Sequence, residues 1–238
     1  MAGWTTLPGG QGFPGNREAS RNPIMGLNWK GDASNNPPVI TRQHPLASFL
    51  CNYSQMQTDN MATPHLTKPL AASLLSGEQV LTFLTGPRGA GKTSFCAEFV
   101  LQMQGTGSSI GGFICPAVFD GGKKVGIDLL DVASGERRRL GLRSQNKGDT
   151  TIGCWQLDKN VIAWGNQILA GLKNEQIIII DELGPLELEK GYGYQEALHL
   201  LDEGRYRAAL VVVRPALLGL ARLRWPQAQV LDLEGESA

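Results

Sequence analysis

The sequence predicts an α/β domain built on a mostly parallel sheet flanked by helices. Three observations carry that reading. Strand-like and helix-like segments alternate from Ser76 onward. A glycine-rich run, Gly86-Pro87-Arg88-Gly89-Ala90-Gly91-Lys92-Thr93, sits between the first apolar strand and the first helix. A wholly apolar segment, Ile177–Ile180, ends in Asp181 and has the composition of a central strand buried on both faces.

The elements follow in order. Val80–Thr85 reads as a short apolar strand, and Thr93–Gln104 as a helix with Phe95, Phe99 and Met103 on one face at i, i+4 and i+8. Gly112–Phe119 and Val125–Asp131 read as strands joined by the Gly121-Gly122 turn, a β-hairpin inserted after the first helix. After a turn at Ser134-Gly135 come strand candidates at Arg137–Leu142 and Thr151–Leu157. Asp158 caps a helix running to Leu172, with Val161, Trp164, Ile168 and Leu172 on its apolar face. Gln176–Ile180 is a strand and Tyr194–Leu201 a helix. Ala208–Val213 is a strand, Pro215–Arg224 a helix opened by proline, and Val230–Leu233 a last short strand.

Residues 1–75 differ. They hold eight of the thirteen prolines and only eight charged residues, with no period of 2 or 3.6 beyond a short helical candidate at Leu46–Met56. Such a segment cannot offset its ordering entropy, so 1–75 is expected to be a disordered extension and 76–238 the folded domain. Met61 is an alternative start of the native chain.

Composition narrows the function classes. Lys+Arg and Asp+Glu are equal at 22 each, which argues against a dedicated nucleic-acid binder. No apolar run reaches the roughly 18 residues of a membrane span, and the first thirty residues lack a secretory h-region. Cys51, Cys96, Cys115 and Cys154 form no C-x-x-C pair, and reduced thiols in a cytoplasmic protein are the simplest expectation. The sequence identifies no protein partner.

The phosphate site is the strongest signal. Gly86 to Thr93 fits G-x-x-x-x-G-K-[ST], whose glycines let successive N–H groups point at a phosphate. The helix that starts at the motif adds the positive end of its dipole. A nucleotide is thus expected on Gly86 through Ser94. Lys92 reaches the β- and γ-phosphates, and Thr93 and Asp181 hold Mg²⁺. Glu182, beside Asp181 at the strand end, is the candidate general base for the attacking water. Arg88 and Arg214 are candidates for charge stabilisation at the γ-phosphate.

Several other features carry less. Asp181-Glu182-Leu183-Gly184 also fits D-x-x-G, and Asn146-Lys147-Gly148-Asp149 fits the guanine-reading N-K-x-D. Their order is reversed from that of a GTPase and no apolar strand leads into Asn146, so the match is read as accidental. Arg137-Arg138-Arg139 reads as a solvated turn or edge rather than a phosphate clamp. His199 reads as packed or surface-facing, and Trp155 and Trp164 as core residues.

The run Asp181-Glu182-Leu183-Gly184-Pro185-Leu186-Glu187-Leu188 resembles the D-E-[IL]-G-P-[ML]-E-L signature of the thermophilic-type nucleoside-triphosphatase family. Gly122-Lys123-Lys124-Val125-Gly126-Ile127-Asp128-Leu129 and Ser134-Gly135-Glu136-Arg137 are similar to two further stretches of that family. The resemblance covers about residues 78–233. It implies a RecA-like P-loop domain that hydrolyses ATP, GTP and other nucleoside triphosphates to diphosphate and phosphate with Mg²⁺. It also implies that Glu182 is the catalytic carboxylate and that Glu187 lies near the site. Cys115-Pro116-Ala117-Val118-Phe119 departs from the family's T-x-E-V-[RK], and Arg214-Pro215 stands in place of a His-containing turn. Two alternatives share the same loop: a small-molecule or nucleotide kinase, and a slowly hydrolysing regulatory switch.

Overall fold

The computed structural model describes residues 79–144, 151–173 and 177–233. All of them lie in the second of two units, Pro37–Ala238. The predicted extension over 1–75, the helical candidate Leu46–Met56 and Asn146–Asp149 fall outside the described residues.

Strands β1 (Val80–Thr85), β2 (Ile110–Ile114), β8 (Ile177–Leu183), β9 (Ala208–Val213) and β10 (Gln229–Asp232) form a parallel core in the order β10-β1-β9-β8-β2. Beyond β2 the same sheet continues antiparallel through β4 (Lys123–Asp131), β5 (Arg137–Arg143), β7 (Trp155–Leu157) and β6 (Thr151–Ile152), while β3 (Ala117–Asp120) pairs with β4. The expected hairpin is therefore one part of a larger antiparallel wing that follows β2.

Alternation along the central strands explains the layering. Ile178 and Ile180 face one apolar cluster, and Ile177 and Ile179 face the other. Helix α1 (Lys92–Gly105) covers the second face with Phe95, Phe99 and Met103, each buried as the spacing predicts. Helices α2 (Lys159–Ala170), α4 (Gln195–Asp202) and α5 (Pro215–Arg224) contribute side chains to the first. Asp158 caps α2 as expected, its carboxylate accepting from the Asn160 N–H at 2.8 Å. Close packing of β2 on β8 depends on Gly112, whose φ is +94°. A Cβ there would lie 2.0 Å from the Ile179 carbonyl oxygen.

Two predicted strands are broken. Gly112–Phe119 becomes β2 and β3 because Pro116 has no N–H to donate; its carbonyl instead accepts from Asp128 N–H at 3.0 Å. Thr151–Leu157 becomes β6 and β7, which turn through Gly153 at φ +60°. Strand β8 runs three residues past the predicted end, so Asp181 and Glu182 lie within it.

The arginine run is structural. On β4, buried Asp128 accepts from Arg139 Nε at 2.5 Å and meets Arg137 Nε at 3.3 Å across the β4–β5 ladder. Arg138 pairs with Glu136 and lies 4.1 Å over the Trp164 ring. His199 is exposed, with Nδ1 3.6 Å from Glu196.

Candidate functional site

The glycine-rich loop leaves the C-terminal end of β1 and enters α1 at Gly91, its N-cap. Gly86, Gly89 and Gly91 all have positive φ, and at Gly89 and Gly91 nothing lies within 4 Å of where a Cβ would be. Glycine serves conformation there, not space. Lys92, Thr93 and Ser94 form the first turn of α1. The Lys92 ammonium donates to the Gly86 and Pro87 carbonyls, both at 2.6 Å. Burial pulls its pKa below the usual lysine range, and the Glu182 and Asp181 carboxylates pull it back.

Asp181 is buried at the end of the central strand. Its Oδ2 accepts from the Cys115 N–H at 3.0 Å, and its carboxylate accepts from the Thr93 hydroxyl. Burial raises its pKa, opposed by those two hydrogen bonds and by the cation of Lys92. Thr93 and Asp181 thus bring oxygen donors together across α1 and β8, the hard-donor chemistry that suits a hydrated magnesium ion. Among the described residues no group of three or more His, Cys, Asp or Glu side chains could hold a metal.

Glu182 is half-buried and meets Arg214 Nε at 2.6 Å. Arg214 is the N-cap of α5, at the end of β9. Burial raises the Glu182 pKa, and the Arg214 guanidinium lowers it again. Adjacent strands β8 and β9 therefore bring together two residues that lie 32 positions apart in sequence.

Glu187 borders the site but its oxygens are engaged. Oε2 accepts from the Gly184 N–H at 2.8 Å and Oε1 from the Tyr194 N–H at 2.9 Å, fixing the short helix α3 (Pro185–Leu188) to the segment before α4. Gly193 allows this approach, since a Cβ there would lie 1.9 Å from Glu187 Oε1.

These groups line one cavity of about 740 Å³. Gly86, Arg88, Gly89 and Gly91 through Ser94 form one end, with Asp181, Glu182, Glu187 and Arg214 on its wall; Pro87 and Ala90 are in the loop but off the wall. The antiparallel wing supplies the other walls. Lys124 and Trp155 there form a cation–π pair at 5.1 Å, and Tyr194 adds a buried ring. Sequence reasoning missed Lys124 and Tyr194 as site residues and read Trp155 as core. Only the Lys124 segment carried a signal, within the family-like glycine-turn stretch.

Comparison with known proteins bears on the family and the fold. A family model described as NTPase matches residues 81–224. The chain is 29% identical over 129 residues to "Nucleoside-triphosphatase THEP1" of Methanopyrus kandleri, covering 54% of this chain and 71% of that one. It is 34% identical over 107 residues to the protein of that name from Caldivirga maquilingensis, covering 45% and 60%. Against the latter, the chain thus spans less than two thirds of its relative's length. Among solved structures, a human cancer-related nucleoside triphosphatase shares the fold with a TM-score of 0.51 at 23% identity, over 65% of this chain and 88% of that one. THEP1 from Aquifex aeolicus gives the same TM-score at 19% identity, over 65% and 90%. The P-loop α/β fold and the match across more than half its length make this chain a member of the NTPase family.

Proposed function

We propose that the chain hydrolyses nucleoside triphosphates, ATP and GTP among them, to the diphosphate and phosphate in a Mg²⁺-dependent reaction. The observation that carries this reading is the convergence of Lys92, Thr93, Asp181, Glu182 and Arg214 on one cavity beside the loop. Loop amides and the α1 N-terminus hold the phosphates. Lys92 exchanges its two loop carbonyls for phosphate oxygens. Thr93 and Asp181 would hold Mg²⁺, which when bound neutralises phosphate charge. Glu182 orients a water and accepts its proton; burial makes it a better base than a free carboxylate. Arg214 favours the ionised form of Glu182, and its guanidinium would stabilise charge that develops on the γ-phosphoryl group.

Phosphate release and nucleotide binding in Glu182→Gln test the assignment. Binding should persist while the rate falls by roughly 10²–10⁴, the weight of a positioned base. Full turnover in that variant refutes the role of Glu182.

A further inference from the structure

Lys124 reaches the cavity through a break in β-sheet register. Regular alternation along β4 would place its side chain on the face of Gly126 and Asp128, where Asp128 meets Arg137 and Arg139. Between the pairs Val118↔Gly126 and Phe119↔Lys124, however, β3 advances one residue while β4 advances two. Val125 is the extra residue of a β-bulge, a feature that re-aims the side chain beside it. Lys124 consequently lines the cavity with Ile127, while Lys123 beside it is exposed.

The ammonium delivered there lacks a counter-ion. Among the described residues Lys124 forms no ion pair and no side-chain hydrogen bond; its ammonium stands 5.1 Å from the centre of the Trp155 ring. The other charges of the cavity are committed. Lys92 is held by two loop carbonyls, Arg214 by Glu182, and Glu187 by two backbone N–H groups. Burial pulls the Lys124 pKa below the usual lysine range and the Arg88 guanidinium pushes the same way, while Asp181 and Glu182 pull it back. Lys124 thus feels both the loop and the acidic end of β8, across the cavity from its own strand. A half-buried cation without a partner is costly, and an anion placed against it removes that cost through a charge-assisted hydrogen bond.

We propose that Lys124 binds the terminal phosphate of a bound nucleoside triphosphate from the wing side, and that this contact distinguishes the triphosphate from its diphosphate product. The proposal rests on the reading above, in which the γ-phosphoryl group lies beside Glu182. The loop amides and Lys92 hold phosphates that substrate and product share. Lys124 meets the one phosphate that the product lacks, so hydrolysis removes its partner and leaves the loop contacts in place.

The test is equilibrium titration of the full chain, with Mg²⁺, by ADP and by the non-hydrolysable β,γ-imido analogue of ATP. Lys124→Met keeps an unbranched stem beside Trp155 and removes the charge. It should weaken the analogue roughly ten- to a hundredfold, the weight of one hydrogen bond to a charged group, and leave ADP within about twofold. Lys124→Arg should restore most of the lost affinity. Unchanged ADP binding also shows that the variant is folded; if Lys124→Met does not fold, Lys124→Gln is read by the same comparison. Equal weakening of both nucleotides overturns the proposal, by placing the ammonium at the inner phosphates or the nucleoside. Unchanged binding of both overturns it as well, by leaving Lys124 a packing residue. In either case phosphate release by the wild type keeps the hydrolase reading intact. Selective weakening of the analogue in a chain that releases no phosphate upholds the contact and refutes hydrolysis.

Discussion

Glu187 lies inside a family-like signature, yet its geometry gives it a positioning role, and the two can be separated. In Glu187→Ala the Gly184 and Tyr194 N–H groups, bonded at 2.8 and 2.9 Å, lose their acceptor in a buried setting. At about 1–3 kcal/mol for each unsatisfied donor, the loss is about 2–6 kcal/mol. Glu187→Gln keeps one acceptor oxygen and turns an NH₂ toward the second donor, for a loss of about 1–3 kcal/mol. At about 2–4 °C per kcal/mol for a chain of this size, Gln should lower Tm by roughly 2–12 °C. Urea melts of the three proteins give the order wild type, Gln, Ala. Phosphate release at a temperature where all are folded should fall modestly, because Gly184 is two residues from Glu182. A Glu187→Gln protein of wild-type stability whose turnover has collapsed refutes the positioning role and makes this carboxylate part of the chemistry.

Other expectations are sharp enough to check. Glu182 must be ionised to act as a base, so activity should be lost as pH falls through its burial-raised pKa. Arg214 lowers that pKa, so Arg214→Gln should move the acid limb of the pH–rate profile to higher pH; an unmoved limb dissociates the pair from catalysis. Asp128→Asn leaves Arg139 and Arg137 without their shared carboxylate. Because both arginines are nearly half exposed, the cost should be about 1–2 kcal/mol in a denaturant melt, below that of a fully buried pair. No change in midpoint would reduce this cluster to surface contacts.

What was legible in the sequence was what is contiguous. Gly86 through Thr93 and Ile177 through Glu182 each carry their meaning in a single run, because one turn or one strand end builds the feature. The amphipathic faces of α1 and α2 were legible for the same reason. Features made by pairing were not. Arg137–Arg139 could be read only once β4 and β5 were in register and Asp128 stood opposite Arg139. The break at Cys115-Pro116 depended on where β4 pairs, and continuous apolar patterning concealed it. Lys124, Trp155 and Tyr194 come from β4, β7 and the approach to α4, and only tertiary structure makes them neighbours of one cavity.

The most direct test of the central claim is phosphate release from ATP, GTP, CTP and UTP with Mg²⁺, comparing wild type with Lys92→Ala. Lys92 is the one ammonium hydrogen-bonded within the loop among the described residues, and its removal takes away the cation that the phosphates require. Wild type should release phosphate from several of the four nucleotides and the variant none above background, with most of its nucleotide affinity lost. Equal release by both proteins would contradict it, as would a wild type that binds nucleotide and releases no phosphate.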